Sequence, residues 1–281
     1  VEEHFARAGE AIALPLWDIV QNGPAERLNS TEITQPALLV ASAALWAIWR
    51  AAGGAQPVLM AGHSLGEYSA LVCAGALSLE DGALLVHQRG KLMQEAVPNG
   101  QGTMAAVLGL DDDQVLDCCQ GIDGVVSPAN YNAPGQVVIA GTVAAVEAAI
   151  ERCKAAGARR ATLLTVSGPF HCQLMEPARD AFAEILADAQ LVMPEVPVIH
   201  NVDGRVAADL DELRSKLVGQ NAQPVLWTTC VRQMLDGGVT RLNECGAGKV
   251  LAGLSKRIER SLTTDPIGSL DGLHAALASE T

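Results

Sequence analysis

A chain of 281 residues, 49% hydrophobic and 18% charged, is long and apolar enough to bury a sizeable core, which excludes a disordered chain. Its net charge of −13 at pH 7, from 19 Lys and Arg against 32 Asp and Glu, argues against nucleic acid or an anionic membrane as a partner. Seven cysteines (Cys73, Cys118, Cys119, Cys153, Cys172, Cys230 and Cys245), odd in number and without metal-ligand spacing, read as reduced thiols of a cytoplasmic protein with no metal site.

The start of the chain does not pair a basic n-region with an apolar stretch, so no signal peptide is expected. Residues 35–50 are rich in Ala, Leu and Trp, with Pro36 near the start and Gly53-Gly54 past the end, which predicts a buried helix. The apolar run within it, residues 36–49, is interrupted by Ser42 and too short to span a bilayer. Residues 57–62 form a short apolar run consistent with an interior strand, and residues 65–74 have helical character. Ser78 and Asp81 are spaced as a capping box for a helix reaching about Val97, with Asp where Glu or Gln is preferred. From about Asn99 the texture changes to strand 103–108, helix 111–119, strands 125–126 and 136–140 around a turn at 132–135, helix 142–156 and strand 160–166. That β-α-β-β-α-β order matches a ferredoxin-like unit. Beyond His171 come a helix, a strand at 196–199 that Pro197 demotes to an edge, helices near 209–218 and 225–235, a strand near 240–242 and a closing helix from Lys249. The expected fold is α/β: a hydrolase-like parallel-sheet body of residues 1–98 and 168–281, with a ferredoxin-like small subdomain inserted at 99–167.

Gly62-His63-Ser64-Leu65-Gly66, between a strand and a helix, has the form of a nucleophile elbow, in which a tight turn presents Ser64 Oγ at a helix N-terminus. The Leu65 N–H can then stabilise the oxyanion formed when Ser64 attacks a carbonyl. A serine hydroxyl needs a base at neutral pH. Of six histidines, His63 sits on the turn itself, His4 and His274 lie near the termini and His87 falls inside a helix. His171 and His200 remain, each beside a predicted strand end, and the residues alone leave both open. Gly246-Ala247-Gly248-Lys249 has the wrong spacing for a phosphate loop and reads as a turn into a helix. The cluster of Lys154, Arg159 and Arg160 reads as a solvated face.

Residues 62–71 (Gly-His-Ser-Leu-Gly-Glu-Tyr-Ser-Ala-Leu) resemble the nucleophile motif of malonyl-CoA:acyl carrier protein transacylases. The resemblance runs along almost the whole chain, through Arg89-Gly90-Lys91-Leu92-Met93-Gln94, Ser127-Pro128-Ala129-Asn130-Tyr131-Asn132, Gly168-Pro169-Phe170-His171, His200-Asn201-Val202-Asp203 and Gly246-Ala247-Gly248-Lys249-Val250-Leu251. It implies a cytoplasmic acyltransferase of fatty acid synthesis that takes malonyl-CoA as substrate, acyl carrier protein as partner and no cofactor, and acts as a monomer. It also implies Ser64 as nucleophile, His171 as general base and Gln220 as the residue whose main-chain carbonyl orients the imidazole. Arg89 would hold the malonyl carboxylate through two parallel hydrogen bonds. An arginine buried without such a partner costs several kcal/mol, at the order given for an uncompensated buried charge. Met93, Phe170, Gln136 and Arg160 match positions near the substrate, with Gln136 by the pantetheine arm, Arg160 by coenzyme A phosphates or the carrier protein, and Phe170 leaning towards malonyl.

The family's opening strand and Gly-Gln-Gly-Ser-Gln-like loop, which supplies a second oxyanion donor, has no counterpart before Ser64, so either the sequence is truncated ahead of Val1 or the chain has half an oxyanion hole. Three other readings compete, one of them a non-catalytic binding module, favoured only by the missing N-terminal loop. A polyketide-type acyltransferase would take another extender unit. A serine esterase would place an acid and then a late histidine after the serine, whereas a long stretch of chain follows His171.

Overall fold

The computed structural model describes residues 1–279. The chain opens with α1 (Glu2–Ala11), α2 (Leu16–Asn22), α3 (Ala25–Leu28) and α4 (Thr31–Ala51), the first three unforeseen in the sequence. Pro36 lies inside α4 rather than at its start. Its ring removes the N–H that would have bonded the Glu32 carbonyl. The ring nitrogen Nδ1 of His87 donates to that carbonyl instead, at 2.8 Å, so His87 repairs the helix. At 21 residues α4 is long and apolar enough to cross a membrane by length and composition alone, which corrects the shorter apolar stretch expected there. Ile33, Leu39, Val40 and Trp49 are nonetheless buried, and the helix packs against its neighbours as a core element.

After α4 come β1 (Met60–Ala61), α5 (Leu65–Cys73) and α6 (Leu79–Glu95). The Ser78 hydroxyl accepts the Asp81 N–H at 3.0 Å, so the predicted cap starts α6. Next follow β2 (Gly102–Leu108), α7 (Asp112–Cys119), β3 (Val126–Ala133), β4 (Gln136–Thr142), α8 (Val143–Ala155) and β5 (Arg160–Leu163). β3 is much longer than the two residues foreseen, and β5 ends three residues early. These strands form one antiparallel sheet in the order β3-β4-β2-β5. Its period-two pattern sends Ala105, Val107, Val137 and Ile139 to a face covered by Val115, Val146 and Ile150 of the two helices. Met104, Val138 and Ala140 on the other face meet Cys172, beside His171.

A 3-10 turn (Gln173–Met175) leads into α9 (Glu176–Asp188), β6 (Val198–Ile199), α10 (Leu210–Gln220) and α11 (Trp227–Asp236). The chain then continues through β7 (Arg241–Glu244), α12 (Val250–Ile258), β8 (Thr263–Pro266) and α13 (Leu270–Ala278), where a single closing helix was expected. β6 is parallel to β1, pairing Met60 with Val198 and Ala61 with Ile199. Pro197 stands just before the strand and offers only its carbonyl, which accepts the Met60 N–H at 2.9 Å, so it does not disturb the ladder. β7 and β8 are likewise parallel. The fold is thus mixed α/β, with its parallel strands in two pairs among the described residues rather than in one sheet. A cavity of about 550 Å³, lined by Leu59, Met60, Trp227, Met234 and Leu242, lies between β1 and β7.

The largest core joins α1, α2, α4, α5 and α6 to α9 and α10, through residues such as Phe5, Ile19, Leu39, Leu71, Val86, Phe182 and Leu217. α4 and α6 approach closely at Gly90, where an added Cβ would stand 2.6 Å from the Thr31 carbonyl oxygen and 2.8 Å from Glu32 Cα. Both obstacles are backbone, so Gly90→Ala is expected to destabilise the fold by about 1–3 kcal/mol, as overpacking does. A lowered urea midpoint with unchanged m-value is the expected measurement.

Candidate active site

Ser64 caps α5 with φ 51° and ψ −109°, in the left-handed half of the map where a side chain is uncommon. Such strain costs about 1–3 kcal/mol and persists only where the surroundings hold it. A Cβ on Gly62 would stand 1.9 Å from the backbone of Gly66, so the strand end and the helix start pass main chain to main chain. Gly62 is therefore the glycine the turn requires, while a side chain at Gly66 would meet open space. The N–H of Leu65 belongs to the free first turn of α5 and has no hydrogen-bond partner among the described residues.

The constrained segment 167–170, between β5 and the 3-10 turn, delivers His171, which also has a positive φ of 59°. Its Nε2 accepts the Ser64 hydroxyl at 2.7 Å, and its Nδ1–H donates to the main-chain carbonyl of Gln220, the last residue of α10, at 2.8 Å. Burial, and then the neighbouring Arg89 cation, lower the His171 pKa to about 3. The imidazole is thus neutral at pH 7 and free to accept a proton.

The other open candidate, His200, lies at the end of β6, where its Nδ1 donates to Glu67 Oε1 at 2.7 Å. Buried in that pair, it makes no bond to Ser64. His63 turns away from the hydroxyl, with Nε2 on Asn132 Oδ1 at 2.7 Å and its ring against Trp227. Asp203 is half exposed and pairs with Lys216 at 3.0 Å.

Arg89, on α6, is 1% exposed and has no carboxylate partner among the described residues. Nη1 donates to Gln35 Oε1 at 2.7 Å, and Nη2 donates to Gln220 Oε1 at 2.9 Å and, longer, to Ser64 Oγ at 3.4 Å. The guanidinium lies over the Tyr68 ring at 5.3 Å, and its buried Nε has no hydrogen-bond partner. A cation held by neutral groups, with one nitrogen unpaired and another 3.4 Å from the Ser64 hydroxyl, can receive an anionic group.

Met93 and Phe170 line the cleft of about 570 Å³ that holds Ser64, Arg89 and His171. Gln136 and Arg160 are not brought there. Gln136, at the start of β4, bonds Arg257 of α12, and Arg160 is exposed on β5 with its Nε on Thr162 Oγ1 at 3.1 Å. At α12 the Glu244 carboxylate takes the Leu251 and Ala252 N–H groups at 2.9 and 2.8 Å, so that helix N-terminus already holds an anion from its own chain. Among the described residues no group of three or more His, Cys, Asp or Glu side chains could hold a metal ion.

Sequence reasoning missed Gln35, Glu67, Tyr68 and Asn201. The last three lay within motifs quoted above, but an acidic, aromatic or amide residue there carried no pattern of its own. Gln35 had only its place on an apolar helix as a signal, a polar residue in a buried run.

An acyl transferase domain model matches residues 1–235 of the chain. The malonyl CoA-acyl carrier protein transacylase of Salmonella typhimurium is 53% identical over 279 residues, 99% of this chain and 90% of that protein. The Bacillus subtilis protein of the same name is 42% identical, over 97% of this chain and 87% of its own length. Among solved structures, the malonyl CoA-acyl carrier protein transacylase of Coxiella burnetii superposes with a TM-score of 0.96 at 44% identity, covering 98% of this chain and 88% of that one. A malonyl-transacylase in complex with its type II polyketide acyl-carrier protein gives 0.97 at 48% identity, covering 99% and 91%. With this identity along almost its whole length, the chain belongs to the malonyl CoA-acyl carrier protein transacylase family of acyl transferase domains.

Proposed function

We propose that the chain transfers a malonyl group from malonyl-CoA to the phosphopantetheine thiol of acyl carrier protein, through a malonyl ester on Ser64. The observation that carries this reading is the 2.7 Å pair of Ser64 Oγ and a neutral His171, set beside an Arg89 that lacks a counter-ion. Ser64 attacks the thioester carbonyl as His171 Nε2 takes its proton. The Leu65 N–H stabilises the oxyanion, and the proton leaves with the coenzyme A thiolate. The carrier's thiol then gives its proton to His171 and attacks the ester, which restores the Ser64 hydroxyl. Gln220 orients the imidazole through its carbonyl and steadies Arg89 through its side chain.

Arg89 receives the malonyl carboxylate, and Met93 and Phe170 form apolar walls around the acyl group. Gln136 and Arg160, outside the cleft, are assigned to the pantetheine arm and to coenzyme A phosphates or the carrier. Malonyl-CoA is a substrate, and no cofactor takes part. We read residues 99–167 as a ferredoxin-like subdomain inserted into a hydrolase-like body of 1–98 and 168–281. The strand order β3-β4-β2-β5 and the two helices on one face support that division. A cytoplasmic location fits seven cysteines that are all free, and the chain is taken to act as a monomer. An esterase reading is disfavoured, because His171 bonds a carbonyl rather than a carboxylate.

Mass spectrometry after exposure to malonyl-CoA is expected to find one malonyl adduct, absent from Ser64→Ala; an adduct that persists in the variant would overturn the reading. Arg89→Ala is expected to lower kcat/KM for malonyl-CoA about 100-fold or more, the loss of charged hydrogen bonds, and to lower acetyl transfer far less. Unchanged preference for malonyl would refute the clamp.

The acid limb of kcat/KM follows the sign of the His171 shift. A base whose pKa is lowered from 6.5 to about 3 stays unprotonated well below neutrality, so the rate should hold level down to about pH 5. Removing the Arg89 charge takes away the second cause of that shift, and the limb should move upward in Arg89→Ala.

A further inference from the structure

The turn that carries Ser64 is gripped from outside by one side chain. Asn201, two residues after β6, is fully buried, donates from Nδ2 to the Gly62 carbonyl at 2.8 Å and accepts the Ser64 N–H on Oδ1 at 2.7 Å. These two main-chain groups flank His63, at the point where the strand has ended and the helix has not begun. Neither β1 nor α5 supplies them with a partner.

Asn201 is itself held by the carboxylate of Glu67, one turn into α5. Oε2 of Glu67 accepts the Asn201 N–H at 2.8 Å and the Gln220 side-chain amide at 2.9 Å, and Oε1 accepts His200 Nδ1 at 2.7 Å. The hydrogen bonds therefore close a ring from Ser64 along α5 to Glu67, across to Asn201, and back to Ser64. The Gln220 amide also donates to the Ser64 carbonyl at 2.9 Å and approaches Asn201 Oδ1 at 3.3 Å. Because the Gln220 main chain orients His171, the same ring ties the serine's position to that of its base.

We propose that Asn201, braced by Glu67, is a positioning residue that holds Ser64 in its left-handed turn, within reach of His171. The role rests on the reading of Ser64 as the acylated residue. Asn201 touches neither Oγ nor the cleft, so it acts through the main chain of Ser64. Its loss leaves Arg89 and the cleft walls in place and lets the turn relax, which displaces Oγ from His171. A misplacement near 1 Å is enough to cost about 100-fold in rate.

The test compares wild type, Ser64→Ala, Asn201→Ala and Asn201→Asp. Readouts are malonyl transfer, Tm, and labelling of Ser64 by a fluorophosphonate that carries no malonyl group. Asn201→Ala is expected to lose about 100-fold in kcat with KM for malonyl-CoA moving less than about threefold, and to label more slowly in step. Asn201→Asp keeps an oxygen for the Ser64 N–H and should recover part of both rates. If Asn201→Ala does not fold, Glu67→Gln, which loosens the brace while keeping its shape, is expected to lower kcat and labelling together. A folded variant with wild-type kcat and labelling overturns the role. So does a loss that lies in KM or merely follows the fall in Tm. Absence of a Ser64-dependent adduct on wild type overturns the functional reading and this one together, whereas wild-type activity indifferent to Asn201 overturns this one alone.

Discussion

Burying Arg89 takes a cation out of water, and the residues around it answer with neutral oxygens and a ring face rather than with a carboxylate. A buried charge of this kind is costly unless its hydrogens are paired, and at Arg89 the two terminal nitrogens are bonded while Nε is left without a partner. Gln35 comes from α4, Gln220 from α10 and Tyr68 from α5, so three helices are pinned to one guanidinium on a fourth. The close approach at Gly90 brings α6 near enough to α4 for the first of these bonds. The same charge helps hold His171 neutral, so a single buried cation shapes both the pocket and the imidazole beside it.

Around this cation the strained turn finds its support. Ser64 and His171 both sit at positive φ, and neither lies in a long regular element. Side-chain amides carry the load: Asn201 fixes the turn, while Gln220 joins serine, arginine and imidazole with one amide and one main-chain carbonyl. Amides suit this work because each offers a donor and an acceptor without adding charge next to Arg89.

The elbow, the helices flanking it and the alternating strands of the small sheet were legible because turn glycine, capping serine and period-two burial are local signals. The choice between His171 and His200 was not, since both follow expected strands and long-range partners separate them, Ser64 and Gln220 for His171 and Glu67, 133 residues away, for His200. α4 was misjudged because Pro36 ordinarily marks a helix start, and its tolerance within the helix depends on His87 reaching over from α6. The parallel strands came as short pairs because β1 and β6 reduce to two residues each, too little for an apolar run to announce the register. Arg89 reads as a surface residue from composition alone, and only tertiary packing or family resemblance reveals that it is buried.

The partner of His171 Nδ1 is a main-chain oxygen, and that choice reaches into the kind of bond the site can break. A carboxylate in that place would offset the positive charge that builds on the imidazole, whereas the carbonyl's hydrogen bond favours the protonated ring less than burial and the Arg89 cation oppose it. In the proposed transfer the protonated ring is therefore short-lived and acidic, ready to surrender its proton to whatever departs. A thiolate, whose conjugate thiol has a pKa of ~8.5, departs with little help, unlike the amine of a peptide. The site is thus matched to labile acyl–sulfur bonds and poorly equipped for amides. Because the orienting oxygen belongs to the backbone, no side-chain replacement at position 220 can delete it, only displace it.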